Sequence, residues 1–149
     1  MDFEAYLTAL RGKTVSVIGI GVSNRPLIEK LLEKGVAVTA RDKKESLGEL
    51  GAELAAQGCK LKLGEDYLKD IHEDVIFRTP GLRPDVPELE AARAGGSVIT
   101  SEMEGFFQVC PCKTIAVTGS DGKTTTTTII AELLKAAGQS VYVGGNIGK

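Results

Sequence analysis

TVSVIGIGVSNRPLIEKLLEKGVAVTARD, Thr14 to Asp42, decides the fold. Thr14 to Ile18 reads as a buried strand, and Gly19 to Asn24 as a glycine-rich loop. Pro26 to Lys34 continues as a helix with Pro26 in its first turn, and Gly35 closes it. Val36 to Thr39 is then a second strand, ending near Arg41-Asp42. Strand, glycine turn, helix and strand make a βαβ unit. Asp42 lies 21 residues beyond Gly21, close to the roughly 20-residue spacing at which dinucleotide folds place a ribose-binding acid. The third glycine of such a turn is replaced by Asn24. Because Ser23 and Asn24 are also helix-capping residue types, a purely structural turn accounts for the same residues.

Outward from this unit the alternation continues. Phe3, Tyr6, Leu7 and Leu10 predict a short amphipathic helix before it, ended by Gly12. After it, Leu47 to Gln57 reads as a helix, Lys60 to Leu63 as a strand, and Asp74 to Phe77 as another strand running into Arg78-Thr79-Pro80-Gly81. Val86 to Ala94 is a helix, Ser97 to Thr100 a fifth strand, and Glu102 to Phe107 a short helical segment. Strands alternating with helices at this spacing imply an α/β fold: a Rossmann-like parallel sheet covered on both faces. Ligands of such sheets bind beyond the carboxyl ends of the strands. Gly19 to Asn24, Asp42 and Thr79-Pro80-Gly81 are therefore expected on one rim. Cys110-Pro111-Cys112-Lys113 breaks the pattern, which sets the expected domains at 1–112 and 113–149.

The second segment carries its own motif. Ile115 to Val117 reads as a strand, Gly119-Ser120-Asp121-Gly122-Lys123-Thr124-Thr125 as a glycine-rich loop, and Ile129, Ile130, Leu133 and Leu134 as one face of a helix stopped by Gly138. Strand, glycine loop and helix form an anion cradle, in which backbone N–H groups and the helix N-terminus face phosphate oxygens. Lys123 suits the β- and γ-phosphates of ATP, and the Thr124 hydroxyl suits Mg²⁺. The usual loop has a glycine five residues before the one in Gly-Lys-Thr, where this chain has Val117, so the loop is short. A plain strand-to-helix turn with a solvated lysine is the alternative. Ser140 to Val143 reads as a further strand, opening into Gly144-Gly145-Asn146-Ile147-Gly148. These elements predict the first strand-helix-strand of a truncated P-loop ATPase domain.

Composition narrows the classes. With 149 residues, 42% hydrophobic, 26% charged and a net charge of -2, the chain reads as an ordinary globular protein with no general attraction to nucleic acid or anionic lipid. No stretch approaches membrane-spanning length, and the first residues carry acids rather than a secretory pattern. Cys59, Cys110 and Cys112 are an odd number in such a chain, which fits free thiols in a reducing cytoplasm. With His72 as the only histidine, Cys110 and Cys112 complete no structural zinc set.

Four motifs together, GIGVSN, TPG, GSDGKTTTT and GGNIG, resemble the amino-terminal part of a Mur ligase, the family that adds amino acids to the peptidoglycan precursor. Within that family, the GxGxS turn, the TPG and the GGNIG segment are similar to those of the member joining D-glutamate to UDP-N-acetylmuramoyl-L-alanine. The resemblance implies a first domain holding the UDP part of the substrate and a central domain binding ATP. It places Gly21, Val22 and Ser23 at the diphosphate, Asp42 and Lys44 at the uridine, and Thr79, Pro80 and Gly81 in the same pocket. It places Gly119 to Thr125 around ATP, with Thr124 on Mg²⁺, Lys123 as the catalytic cation and Asn146 near the muramoyl-alanine carboxyl end. The implied chemistry is phosphoryl transfer to the substrate carboxylate, giving an acyl phosphate that D-glutamate's amine attacks. A cytoplasmic location is expected, with no nucleic acid or membrane partner, and the isolated chain is expected to be inactive. Self-association through the apolar face of the second segment is a further expectation. Three other readings stay open: another ligase of the same pathway, a dinucleotide-binding regulatory module using Gly19, Gly21 and Asp42 for NAD, and an independent small NTPase, against which the lack of an acidic metal partner argues.

Overall fold

The computed structural model describes residues 2–21 and 24–145, and divides into two compact units, Met1–Pro111 and Cys112–Lys149. In the first unit the elements follow one another as α1 (Phe3–Ala9), β1 (Thr14–Ile18), α2 (Asn24–Glu33), β2 (Ala37–Asp42), α3 (Glu49–Ala56), β3 (Lys60–Leu63), β4 (Val75–Arg78), α4 (Pro87–Ala94), β5 (Val98–Thr100) and α5 (Glu102–Val109). The five strands form one parallel sheet in the order β3-β2-β1-β4-β5. This is the Rossmann-like sheet that the alternating pattern predicts.

Alternation along the strands fills both faces. Val15 and Val17 of β1, Val38 and Ala40 of β2, and Val75 and Phe77 of β4 share a core with Leu7 of α1, Leu27, Ile28 and Leu31 of α2, and Leu54 of α3. Ile18 and Ile76 face the opposite way, against Ile71 and against Leu89 and Ala92 of α4. Because both faces are covered, β4 opens as a continuous apolar run, Val75-Ile76-Phe77, and the polar Ser16 of β1 is as buried as its apolar neighbours. The helix α5 returns to α1. A side chain at Gly105 would stand 3.2 Å from the Tyr6 hydroxyl and 3.6 Å from the Phe77 ring, so glycine sets how closely α5 approaches.

The sequence places the end of the second strand near Arg41-Asp42, and the ladder runs through both, pairing Ile18 with Arg41 on one side and Asp42 with Leu63 on the other. Arg41 is 3% exposed. Its Nε–H donates to Ser16 Oγ at 3.0 Å, Nη1 to the carbonyls of Tyr67 and Lys69 at 3.1 and 2.9 Å, and Nη2 to the Asp70 carbonyl at 3.1 Å and the Glu73 carboxylate at 2.9 Å. All five guanidinium N–H groups are thereby used, and the connection over residues 64–74 is held against the sheet.

In the second unit, α6 (Lys123–Ala136) follows the glycine loop. The flanking runs expected as strands, Ile115 to Val117 and Ser140 to Val143, are in no ladder, which corrects the strand-helix-strand reading at both flanks. Apolar β-branched composition marks a segment that suits a sheet, but a strand exists only through hydrogen bonds to a neighbour, and these two runs have none among the described residues. Of α6 only Ala131 is buried; Ile129 and Leu133 are exposed. No described helix is long and apolar enough to cross a membrane.

Candidate site at the switch point of the sheet

The order β3-β2-β1-β4-β5 puts β1 beside β4, and from that pair the chain winds outward in both directions. In open parallel sheets this switch point leaves a crevice at the carboxyl ends of the strands, where ligands bind. The register places Ile18, Arg41 and Arg78 side by side at that end. One further bond on each side extends the ladders: Gly19 N–H donates to the Arg41 carbonyl at 2.7 Å, and Thr79 N–H to the Ile18 carbonyl at 3.0 Å.

Gly19 occupies the tightest point. Its φ is +84°, and an added Cβ would lie 2.8 Å from Thr79 Cβ, so both backbone conformation and space require glycine. Thr79 starts a tight turn in which Leu82 N–H donates to its carbonyl at 3.1 Å, and Arg78 Nη1 caps the Leu82 carbonyl at 3.0 Å. Pro80 and Gly81 stand exposed on this turn. Gly21 differs from Gly19: its φ is not in the left-handed region, and beyond its own chain neighbours no described atom lies within 4 Å of where a Cβ would be. The packing of the described residues does not require glycine there.

Asp42 is 8% exposed, and both carboxylate oxygens meet backbone amides: Oδ2 accepts from Ile20 N–H at 2.8 Å and Oδ1 from Lys44 N–H at 3.0 Å. Asp42 thus joins the glycine loop to the turn that carries Lys44, whose side chain is exposed. Asn24, where glycine is usual, is 4% exposed and donates through Nδ2 to the carbonyls of Gly19 at 2.7 Å and Ile18 at 3.2 Å. The expected rim residues Gly19, Gly21, Asp42, Lys44, Thr79, Pro80 and Gly81 therefore lie at the carboxyl end of the sheet, Asp42 as the last residue of β2 and the others on the loops that follow the strands. Val22, Ser23 and Asn146 lie outside the described residues.

Two contributors are not apparent from the pattern. Arg41 reads only as the end of a strand, and the signal that could reveal it is a cation within the buried run of a central strand. Its partner Glu73 is half-buried. Burial alone would raise the Glu73 carboxyl, but the hydrogen bond from Arg41, its own backbone N–H, the guanidinium charge and Thr39 together hold it below its ordinary value. Asn24 reads as a helix cap, yet its amide serves the loop behind it.

In the second unit, Lys123 Nζ donates to the carbonyls of Gly119 and Ser120 at 2.6 and 2.8 Å. Gly122 caps α6 with φ +73° and no side-chain hydrogen bond, leaving the first-turn N–H groups without a capping side chain. Thr128 Oγ donates back to the Thr124 carbonyl at 2.9 Å. Loop, cation and helix N-terminus are thus together, with Asp121, Thr124 and Thr125 exposed beside them. No cluster of His, Cys, Asp and Glu suited to a metal ion occurs among the described residues.

No family model matches the chain. The UDP-N-acetylmuramoylalanine--D-glutamate ligase of Clostridium novyi is 50% identical over 149 residues, covering 98% of this chain and 32% of the relative. That of Clostridium botulinum strain Hall is 51% identical over 150 residues, covering 99% and 33%. Among solved structures, UDP-N-acetylmuramate-alanine ligase from Thermotoga maritima is similar with a TM-score of 0.54 at 28% identity, over 89% of this chain and 32% of that one. A murein peptide ligase from Psychrobacter arcticus gives 0.54 at 25% identity, over 85% and 27%. The chain spans about a third of the length of the curated relatives it matches. With half its residues identical over nearly its whole length and Mur ligases as structural neighbours, the chain is homologous to the N-terminal third of UDP-N-acetylmuramoylalanine--D-glutamate ligase.

Proposed function

We propose that residues 1–112 bind the UDP part of UDP-N-acetylmuramoyl-L-alanine, and that residues 113–149 begin the ATP-binding domain of a ligase that adds D-glutamate to it. The reaction class is ATP-dependent amide formation through an acyl phosphate, in peptidoglycan synthesis in the cytoplasm. The observation that carries the reading is Gly21, a glycine beside the switch point that the packing of the described residues does not require. Close approach of a diphosphate gives it a purpose. Gly21, Val22 and Ser23 face the diphosphate, Asp42 and Lys44 the uridine, and Thr79, Pro80 and Gly81 close the same pocket.

In the second unit the uncapped start of α6 and the Lys123 ammonium supply the positive field that a nucleotide triphosphate needs. Gly119 to Thr125 hold ATP, and Thr124 offers its hydroxyl to Mg²⁺, which neutralises phosphate charge when bound. Lys123 steadies charge on the moving phosphoryl group, so the contribution of these residues is positioning and electrostatics. Asn146 lies near the muramoyl-alanine carboxyl end in this reading.

Calorimetry with UDP tests the first unit. The wild-type chain is expected to bind UDP in preference to NAD. Gly21→Val, which adds bulk where the protein itself has room, is expected to abolish UDP binding while leaving the melting temperature near that of the wild type. UDP binding that survives Gly21→Val, or NAD binding tighter than UDP, would sink the assignment.

A further inference from the structure

We propose that Asn24 is a positioning residue for diphosphate recognition: its side-chain amide holds the loop carbonyls in hydrogen bonds, so that the loop offers an anion N–H groups instead. The inference rests on the reading of this rim as a nucleotide-diphosphate site. A glycine loop binds an anion only if its peptide planes present donors, since a carbonyl oxygen turned towards phosphate repels it. Here three carbonyls of the turn are occupied. The Ile18 carbonyl accepts from Thr79 N–H and from Asn24 Nδ2, the Gly19 carbonyl from Asn24 Nδ2, and the Gly21 carbonyl from Arg25 N–H at 3.1 Å.

The donors divide in a complementary way. Gly19 N–H and Ile20 N–H are tied inward to the Arg41 carbonyl and Asp42, whereas Gly21 N–H donates to nothing among the described residues. The two hydrogens of one amide suit two carbonyls that Gly19, with its left-handed φ, brings within reach of one side chain. Glycine, the usual residue at this position, supplies neither. Asn24 thus compensates for the missing third glycine by occupying the acceptor side of the two peptides whose N–H groups the Arg41 carbonyl and Asp42 already hold.

Asn24→Gly and Asn24→Ser separate this role from a general structural one. The dissociation constants of UDP and of uridine, which lacks the diphosphate, are measured for each variant beside the melting temperature. Asn24→Gly is expected to weaken UDP about tenfold while uridine changes by less than about twofold, the scale of one or two lost hydrogen bonds. Asn24→Ser, which keeps one donor, is expected to fall between, and decides the matter if the glycine variant does not fold. Equal losses for UDP and uridine, or an unchanged UDP constant, would overturn the proposal. Wild-type protein that binds no UDP would instead overturn the reading of the rim, before any variant is made.

Discussion

At the end of β2, Arg41 and Asp42 are neighbours that brace opposite sides of the sheet edge. The Arg41 guanidinium fixes residues 64–74, and the Asp42 carboxylate fixes Ile20 and Lys44. Removing one partner of a buried ion pair leaves the other uncompensated. Arg41→Met is therefore expected to cost about 3–5 kcal/mol in urea unfolding, and Arg41→Met with Glu73→Met to recover part of it. The same pair sets an acid response. The Glu73 carboxyl titrates below its ordinary 4.5 in the folded protein. Its contribution is complete above the unfolded value and is lost as pH falls through the folded one. Glu73→Gln is expected to remove that part of the acid sensitivity, and an unchanged slope of stability against pH below 4.5 would contradict the assignment. At Gly19, alanine meets both a left-handed φ and a 2.8 Å contact with Thr79 Cβ. A loss of about 1–3 kcal/mol is expected from thermal unfolding.

The elements differ in how firmly they are held. Leu89 of α4 is fully buried, so Leu89→Ala is expected to cost about 2–5 kcal/mol. Leu133 of α6 is 66% exposed, and Leu133→Ala in this chain is expected to stay within about 0.5 kcal/mol. Equal losses at both positions, measured by denaturant unfolding, would mean that α6 is packed after all. The contrast follows what was legible in the sequence. In the first unit, glycine turns and apolar runs lie within a few residues of one another, so β1, α2 and β4 can be read locally to within a residue or two. In the second, Ile115 to Val117 and Ser140 to Val143 carry a similar signal but pair with no strand among the described residues. The roles of Arg41 and Asn24 were not legible because each depends on backbone carbonyls: a crossover 26 to 29 residues away for Arg41, and a left-handed turn for Asn24. The rim itself was legible, because strand order in a parallel sheet decides which loops meet.

For the whole molecule, the two units carry separate expectations. Residues 1–111 form a compact unit with its own two-faced core and are expected to retain UDP affinity when expressed alone. Residues 1–149, about a third of the length of the ligases they match, are expected to form no amide from ATP, D-glutamate and UDP-N-acetylmuramoyl-L-alanine in an ADP-release assay. The central claim is that a nucleotide diphosphate sits at the switch point between β1 and β4. Titrating the isotopically labelled chain with UDP, and following its backbone amides by NMR, tests that claim most directly. Shifts concentrated at Ile20, Gly21, Lys44, Thr79 and Gly81 are the expected result; shifts confined to Gly119 to Thr125, or none at the rim, would contradict it.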